Sequence, residues 1–418
     1  MDTMLPPVNG ERLWARVEAL AALTTPEAPW TRRAFSPLFL QSREWLVAQM
    51  TEAGLQVSID AGGNLVGRME GSNPTLPPLM SGSHCDTVPS GGRFDGIIGV
   101  LAALEVAHAL RDQGRALQHP LEVVDFLSEE PSDYGISCVG SRAMSGQLTP
   151  AMLDARNAQG ESLAEGIVRA GGRPGALGQP LRPPGSVAAF VELHIEQGPV
   201  LEAGQLPIGV VTNIVGIRRV EVTVDGRPDH AGTTPMHIRQ DALAGAAQII
   251  DAVQRAAADN AGPHYVVATV GRIAVSPNAS NAVPGQVQLT IEVRSDHAAT
   301  LDGFIEGVMA SVAERLRQLR VSARVQPLSR SHPVDCTPSV MHTIERVAAS
   351  LSLPCMRLPS GAGHDAAYLA PAGPMGMIFI PCLNGRSHCP EEWITPEQLL
   401  RGTQVLFLAI GALDRLLA

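Results

Sequence analysis

The most constraining feature of this sequence is a series of apolar segments, each of which ends in a cluster of polar side chains. The segments are LPPLMSGSH, LEVVDFL and VAAFVELHIEQG, and the polar clusters that close them lie at 84–95, 128–133 and 194–197. A helical pattern, DGIIGVLAALEVAHAL, separates the first two segments, and this order indicates parallel strands joined by a crossover helix. Ligands bind at the carboxyl ends of the strands in such α/β sheets. The three clusters therefore predict one site along one edge of the sheet.

A second kind of pattern begins at about residue 214 and ends at about residue 327. Strand and helix patterns follow one another there as β-α-β-β-α-β, which is typical of a small ferredoxin-like α+β domain. Residues 1–213 and 328–418 are predicted to form a large α/β domain, a twisted mixed sheet flanked by helices. The smaller domain, 214–327, is predicted to be inserted into it.

Composition excludes several classes of protein. The sequence has no lysine, so all 31 basic residues are arginine, and pyridoxal, Schiff-base and Walker-type phosphate chemistry are ruled out. A net charge of -10 without a basic, aromatic-rich block argues against a nucleic-acid partner. Neither a signal peptide nor an 18-residue apolar stretch is found, so no membrane association is expected. Six cysteines without a Cys-x-x-Cys pair predict free thiols and a cytoplasmic protein.

The first polar cluster, GSHCDTVPSGGRFDGIIGV, contains the strongest local signal for a metal ion. His84 and Asp86 share one face of a strand end, and Asp95 follows a glycine-rich turn at the start of a helix. A histidine with two carboxylates suits zinc, manganese or cobalt better than copper. The alternative is structural, with Asp95 as a helix N-cap, Asp86 as a turn cap and His84 half-buried.

Three further polar elements allow the same two interpretations. Glu129 and Glu130 follow an apolar strand, where adjacent side chains point to opposite faces, so one carboxylate can bind metal while the other faces the open side. His194 ends a strand, and His388 lies in the loop NGRSHCPEE. Each alone is more often an ordinary solvated or core residue. Their repeated placement beside strand ends favours a shared site.

Taken together, these segments resemble the di-metal amidohydrolases that include N-carbamoyl-L-amino acid hydrolases, β-ureidopropionases and allantoate amidohydrolases. The resemblance runs in order from about residue 10 to the C-terminus. It is carried by GSHCDTVPSGGRFDGIIGV, the Glu129-Glu130 pair, GSRAMSG, ELHIEQGPVLE, DHAGTTPM, the Asn281-Ala-Val-Pro-Gly turn, the Arg294 strand, SGAGHDA and SHCPEE.

The resemblance implies two divalent metal ions, zinc in the first place, with manganese, cobalt or nickel as other candidates. His84, Asp95 and His194 would hold one ion. Asp95, Glu130 and His388 would hold the other, with Asp95 as the bridge. A metal pair of this kind polarises an amide or ureido carbonyl and lowers the pKa of bound water.

The resemblance also assigns roles to residues that are not metal ligands. Asp86 would orient His84 through its second ring nitrogen, and Glu129 would be the general base. In the inserted domain, His230 would donate to the developing oxyanion of the partner subunit's site. Asn281 and Arg294 would bind a substrate carboxylate, for which the planar guanidinium of arginine is suited. Without the resemblance, a turn histidine, a capping asparagine and a surface arginine are equally good readings of these three residues.

Gln197 and the loop that contains Gly361 and His364 are expected to add substrate contacts. One segment departs from the family pattern, because Pro131-Ser132-Asp133-Tyr134-Gly135 replaces a Gly-Ser-Arg-Phe sequence common in relatives. An acidic residue there would repel an additional anionic group of the substrate, which leaves the preferred side chain open.

The sequence thus predicts a cytoplasmic metal-dependent hydrolase of linear carbon–nitrogen bonds other than peptide bonds. Its substrate would be a small carboxylate, an N-carbamoyl or ureido acid, and it would form a homodimer through the inserted domain, which would also act as a lid. The alternatives are an aminoacylase or dipeptidase on the same framework, and a metal-dependent binding protein that has lost catalysis.

Overall fold

The computed structural model describes residues 6–418; residues 1–5, which the sequence assigned to the large domain, lie outside the described part. The helices are α1 (Gly10–Ala21), α2 (Pro37–Glu52), α3 (Ile97–Asp112), α4 (Val139–Ser145), α5 (Pro150–Leu153), α6 (Leu163–Arg169), α7 (Val200–Ala203), α8 (Ala242–Ala258), α9 (Ala298–Leu319), α10 (Pro338–Ser350), α11 (Ala366–Leu369) and α12 (Pro396–Leu417). The strands are β1 (Gln56–Ile59), β2 (Leu65–Met69), β3 (Leu79–His84), β4 (Leu121–Phe126), β5 (Ala189–Ile195), β6 (Ile208–Ile214), β7 (Gly216–Asp225), β8 (Asp229–His230), β9 (Val266–Ser276), β10 (Ala282–Val283), β11 (Gln286–Ser295), β12 (Ser322–Arg330), β13 (Val334–Asp335), β14 (Cys355–Ser360) and β15 (Met375–Ile380).

The chain divides into two units. The first contains the described residues up to Thr212 together with Cys336–Ala418, and the second is Asn213–Asp335. The sequence placed the boundaries of the inserted domain at 214 and 327. The later end of the second unit arises because β12 continues to Arg330 and is followed by β13, which pairs with the last two residues of β6.

The first unit is built on a mixed sheet flanked by helices, as the sequence predicted. Its strand order is β1-β2-β4-β3-β5-β15-β6, and β14 also pairs with β6. The central strands β4, β3, β5 and β15 run parallel to one another, whereas β1, β2 and β6 are antiparallel to their neighbours. Every residue of the four central strands is buried. Such continuous burial explains why these segments are apolar runs rather than alternating patterns.

The long helix α3 fixes the start of the site. Most of its residues, from Ile97 to Leu110, are buried, and it packs on β3, β4 and β5. Its N-cap is Gly96, with φ of 69° and no capping side chain. A Cβ atom at Gly96 would lie 2.3 Å from Nε2 of His84, so only glycine allows this approach. The helix can therefore begin directly beside the histidine at the end of β3.

The second unit has the β-α-β-β-α-β order of the prediction. Its antiparallel sheet has the order β12-β7-β11-β9, and α8 and α9 pack on one face. Alternate residues of β7 and β11, including Val220, Val222, Leu289 and Ile291, form the core under these helices. The intervening positions are polar or only partly buried. This period of two is the expected pattern for a sheet covered on one side.

The two longest helices of the described chain are α9 and α12, with 22 residues each. Both carry charged side chains along their length, such as Asp302 and Arg317 in α9 and Arg401 and Asp414 in α12. Within residues 6–418, no helix combines the length and the apolar character that a membrane crossing needs.

Candidate active site

The polar clusters of the first unit meet at the carboxyl ends of the parallel strands. His84 is the last residue of β3, and His194 lies one residue before the end of the neighbouring β5. Asp95 lies two residues before the start of α3. One ligand atom from each of these three buried residues lies within 4.8 Å of the others, and Oδ1 of Asp95 is 3.1 Å from Nε2 of His194.

A second group of potential ligands shares Asp95 with the first. Nε2 of His388 lies 2.9 Å from Oδ2 of Asp95 and 3.0 Å from Oε1 of Glu130. The two oxygens of Asp95 therefore face different groups, Oδ1 toward His194 and Oδ2 toward His388. A carboxylate in this position is able to bridge two cations.

The donor sets fit divalent metal ions. Each set combines imidazole nitrogens with carboxylate oxygens, the ligands that zinc uses at bond lengths of about 2 Å, and tetrahedral angles would then separate the ligand atoms by roughly 3.3 Å. The measured separations of about 3 Å around Asp95 are close to this value. Hydrogen bonds to Asp95 and Glu130 raise the pKa of His388 to about 11, because the two carboxylates favour a positive charge between them.

Asp95 is not the helix N-cap that the structural alternative required, since Gly96 has that position. Burial alone would raise the pKa of Asp95, but hydrogen bonds from His194 and His388 outweigh it and hold the pKa well below its usual range. The carboxylate also accepts a hydrogen bond of 2.9 Å from Nε2 of Gln197. Its surroundings are those of a charged ligand and not of a capping residue.

Glu129 has a different environment from Glu130. Its Oε2 lies 3.7 Å from Nε2 of His84, and its Oε1 accepts a hydrogen bond of 3.3 Å from the thiol of Cys138. Burial raises the pKa of Glu129 well above its usual range, and the charges of Glu130, Asp365 and Asp86 add to this against the opposing effect of His84. A buried carboxyl group whose pKa is raised in this way is suited to accept and return a proton.

The separation of Glu129 from Glu130 has a cause other than the predicted strand alternation. β4 ends at Phe126, and the chain turns at Ser128, where φ is 55°. The backbone N–H groups of Glu129 and Glu130 donate to the two carboxylate oxygens of Asp86, each at 3.2 Å. A loop held by a buried carboxylate, and not a strand, therefore directs the two side chains to different partners.

Asp86 contacts His84 in a different way from the one expected. Nδ1 of His84 lies 3.0 Å from the backbone carbonyl oxygen of Asp86 and 3.7 Å from its carboxylate. The closest partner of the ring is thus the carbonyl group, while the carboxylate holds the Glu129-Glu130 loop. Burial raises the pKa of Asp86 to about 7, although the charge of His84 and the N–H donor of Glu129 oppose this.

Gln197 and His364 are both in the cluster. Gln197 adopts a left-handed backbone conformation with φ of 57°, which turns its amide toward Asp95 and Ser387. His364 is buried, its ring packs edge-on against His194 at 4.6 Å, and its Nε2 lies 2.8 Å from the hydroxyl of Ser360. Burial lowers the pKa of His364 well below its usual range. Gly361 lies in the bend between β14 and this histidine.

The three predicted substrate residues of the second unit lie in two places, the ribbon formed by β8 and β10, and strand β11. His230 ends β8, which pairs with β10, and the N–H of Ala231 donates to the carbonyl of Asn281 at 2.9 Å. His230 and Asn281 are therefore neighbours on this small ribbon. Arg294 lies on β11, where it forms an ion pair of 2.7 Å with Glu292.

The segment that departs from the family pattern makes its side-chain contacts with residues outside the two ligand groups. Asp133 is exposed and pairs with Arg33 at 2.9 Å, which offsets its charge. Tyr134 is buried, packs edge-on against Phe35 and donates a hydrogen bond of 2.6 Å to Glu161. The tyrosine thus anchors the loop in the first unit.

Several polar residues around the site were not singled out from the sequence, namely Cys138, Ser141, Asp365, Ser387 and Glu392. Ser141 donates a hydrogen bond of 2.5 Å to the buried Asp365, and Glu392 accepts from the N–H of Asp95. Ser387 and Glu392 belong to the motif SHCPEE, so their proximity to His388 was the available signal. Asp365 directly follows His364, and this proximity was the corresponding signal.

A mixed sheet with two sets of histidines and carboxylates at the strand ends is the architecture of a metal-dependent hydrolase. The chain belongs to the peptidase family M20/M25/M40, whose family model matches residues 80–412. Members of this family depend on metal ions.

Relatives that match nearly the whole chain have more specific names. The chain is 39% identical to an N-carbamoyl-L-amino-acid amidohydrolase of Paenarthrobacter aurescens, covering 98% of this chain and 100% of the relative. It is 40% identical to one of Geobacillus stearothermophilus, covering 97% and 99%. A solved amidase of the hydantoinase/carbamoylase family from Burkholderia multivorans has a TM-score of 0.91 and 37% identity, with 98% of each chain covered.

Other full-length relatives carry different substrate names. They include a ureidoglycolate hydrolase of rice, 36% identical over 97% of this chain and 85% of the relative, and an allantoate amidohydrolase of Bacillus subtilis, 34% identical over 88% and 90%. The amidohydrolase names indicate hydrolysis of carbon–nitrogen bonds outside peptides. The protein is thus a hydrolase that acts on carbon–nitrogen bonds other than peptide bonds, as predicted.

Proposed function

We propose that this protein hydrolyses the carbamoyl group of an N-carbamoyl or ureido acid with the help of two divalent metal ions. The observation that carries the proposal is the bridging placement of Asp95, whose two oxygens face His194 and His388 at 3.1 and 2.9 Å. The names of the relatives support the substrate class.

His84, Asp95 and His194 would hold one ion, and Asp95, Glu130 and His388 the other. When bound, the ions would supply Lewis acidity that polarises the carbonyl group and acidifies water. Zinc suits these ligands best, and manganese, cobalt and nickel are alternatives.

Glu129 would be the general base. Its carboxylate is not needed for either ligand group, and burial beside other carboxylates raises its pKa, which favours acceptance of a proton. It would take a proton from the attacking water as the C–O bond forms. It would then return the proton to the nitrogen as the C–N bond breaks, releasing the amino acid and a carbamate that decomposes to ammonia and carbon dioxide.

Asp86 would act through position, because its carboxylate fixes the backbone of Glu129 and Glu130. Gln197, Gly361 and His364 would contribute substrate contacts. Burial lowers the pKa of His364 and so favours its neutral form, which would offer a hydrogen bond without adding a charge.

The second unit would supply the substrate carboxylate site through Asn281 and Arg294, and an oxyanion donor, His230. In this proposal the protein is a homodimer joined through the second unit, which also serves as a lid, and His230 completes the site of the partner. The resemblance to the carbamoylases supports these roles.

The test is an ammonia-release assay on chelator-treated protein reloaded with Zn²⁺, Mn²⁺ or Co²⁺. Substrates are a panel of N-carbamoyl-L-amino acids, 3-ureidopropionate and allantoate, with N-acetyl amino acids and dipeptides assayed by amine release. We expect metal-dependent turnover of at least one carbamoyl or ureido acid. Turnover confined to the acetyl or peptide substrates would instead identify an aminoacylase or dipeptidase, and metal uptake without turnover of any substrate would favour a binding protein.

A further inference from the structure

We propose that Glu392 is a positioning residue that joins the loop carrying Asp95 to the loop carrying His388, and thereby sets the affinity for the metal ion between them. The inference rests on the proposed function, because it concerns the ion that Asp95, Glu130 and His388 would hold. Glu392 itself is not a member of either ligand group.

The carboxylate of Glu392 is almost completely buried, with 1% of the residue exposed, and binds both loops. Its Oε1 accepts hydrogen bonds from the backbone N–H groups of Phe94 at 2.7 Å and Asp95 at 3.2 Å. Its Oε2 accepts one from the hydroxyl of Ser387 at 2.8 Å. One side chain therefore holds the residue that precedes His388 and the backbone of Asp95, which lies almost 300 positions earlier in the chain.

Ser387 extends this connection to the ligand side chain. Its hydroxyl oxygen lies 3.3 Å from Oδ2 of Asp95, the oxygen that faces His388, and accepts a hydrogen bond of 3.2 Å from Gln197. Because a hydroxyl has one proton, its donation to Glu392 leaves Oδ2 of Asp95 available to a cation. Loss of the acceptor at 392 would free the Ser387 proton to bond to Asp95 instead.

The first loop is shaped to receive the carboxylate. Gly92 has φ of 108°, and a Cβ atom there would lie 2.3 Å from Oε1 of Glu392. The guanidinium of the next residue, Arg93, stacks between Trp30 at 4.5 Å and Trp393 at 4.6 Å. The two loops thus meet at adjacent pairs, Gly92 with Glu392 and Arg93 with Trp393. Glu392 therefore lies where the two loops contact each other and is not an isolated buried acid.

The experiment compares metal uptake by Glu392→Gln and by the parent protein. Each chelator-treated protein is equilibrated with Zn²⁺ in a metal buffer, and bound zinc per chain is measured by atomic emission at increasing free Zn²⁺. Outer-shell partners of metal ligands contribute about 10–100-fold to affinity. We expect one of the two ions to require about 10–100-fold more free Zn²⁺ in the variant, while the melting temperature of the metal-free protein stays near that of the parent.

Glu391→Gln is the matched control, because it removes the same charge one residue earlier. Glu391 is exposed and pairs with Arg386 at 3.0 Å, so the control should take up zinc as the parent does. Ser387→Ala is a milder change in the same connection and replaces Glu392→Gln as the test if that variant does not fold. It should lower the affinity for the same ion.

If Glu392→Gln takes up both ions at the same free Zn²⁺ concentration as the parent, the inference about Glu392 is wrong and the proposed function is unaffected. An equal loss of affinity for both ions, together with a lower melting temperature of the metal-free protein, would also contradict the inference, because it would indicate a general structural role. A parent protein that takes up fewer than two ions would overturn the proposed function, and the inference with it.

Discussion

Two buried carboxyl groups of this site, those of Asp95 and Glu129, differ in the charges and hydrogen bonds that set their pKa values. Asp95 is a buried carboxylate whose two oxygens accept from histidines of different segments, and its pKa is held low by these contacts despite burial. Glu129, also buried, lies among other carboxylates and its pKa is raised. Both acids lie within 4.8 Å of His84, yet their pKa values are shifted in opposite directions. This is the division of roles that a metal ligand and a proton carrier would require.

A substitution of Glu129 tests this division. Glu129→Gln removes the proposed proton carrier but neither proposed ligand group, so turnover should fall by about 10²–10⁴ while bound metal stays at the parental level. Glu130→Gln is the companion variant and should lower metal content as well, because Glu130 faces His388 at 3.0 Å. Emission spectroscopy and the ammonia assay measure both properties, and parental turnover by Glu129→Gln would show that another group is the base.

A second residue-scale prediction concerns stability in acid. Hydrogen bonds from Arg169 and Tyr134 lower the pKa of Glu161 to about 2. A carboxylate whose pKa is lower in the folded chain stabilises the fold above its unfolded pKa of about 4.3, and this contribution is lost as the pH falls toward the folded value.

Glu161→Gln should therefore lower the melting temperature by a few degrees at most near pH 6, and the difference from the parent should shrink between pH 4.5 and pH 3. Differential scanning calorimetry across this range is the measurement. Glu27→Gln, an exposed acid in another segment, serves as the control. A deficit that stays constant with pH would mean that Glu161 acts through packing and not through its charge.

At the scale of elements, the site depends on loops as much as on strands. β3, β4 and β5 bring their carboxyl ends together, but of the proposed metal ligands only His84 and His194 are strand residues, and the others lie in loops. These loops use backbone conformations with positive φ, at Gly92, Ser128 and His388 among others. The geometry of the proposed ligands therefore requires turns that the strands alone do not dictate.

Gly92→Ala tests one such loop. The new Cβ atom would overlap the carboxylate of Glu392, and φ of 108° disfavours any side chain, so both urea stability and zinc affinity should decrease. Gly160→Ala is the matched control, since Gly160 also has positive φ, 84°, but no atom within 4 Å of the new methyl group. It should lose about 1–2 kcal/mol from backbone strain and retain its zinc affinity. Equal zinc affinity in the two variants would contradict the role of the loop contact.

Sequence patterns identify the strands but not all of the loop contacts. The buried runs that became β3, β4, β5 and β15 are evident because burial on both faces requires continuous apolar residues. The placement of Glu129 and Glu130 depends on hydrogen bonds to Asp86, more than 40 positions away, so a local strand rule gave the wrong reason for it. Glu392 was not identified from the sequence for a similar reason. Its partners Phe94 and Asp95 lie almost 300 positions away, and no local pattern marks such a pairing.

At the scale of the whole molecule, the proposal assigns His230 of one subunit to the site of its partner. Mixing an inactive Glu129→Gln chain with an inactive His230→Ala chain separates the two cases. If His230 acts on the partner, each mixed dimer has one intact site, and random assortment should restore about a quarter of parental activity. Action within one chain predicts no recovery.

The control for this mixture is proof of subunit exchange, by mass spectrometry of mass-tagged chains under native conditions. The separate mutants give the baseline. A mixture that exchanges and stays inactive would contradict the assignment to the partner, and a protein that sediments as a monomer would remove the basis for it.

The strand order of the first unit has a consequence for how the protein is made. β15 lies between β5 and β6, although 179 residues, including the whole second unit, separate the end of β5 at Ile195 from the start of β15 at Met375. A ribosome that adds about 5–20 residues per second needs roughly ten to forty seconds to cover that interval. During this time the nascent chain exposes the edge of β5 that β15 will later occupy, and such an edge is prone to aggregation. The second unit is contiguous in sequence and is synthesised within this interval, whereas the sheet of the first unit is completed only after β15 has been synthesised.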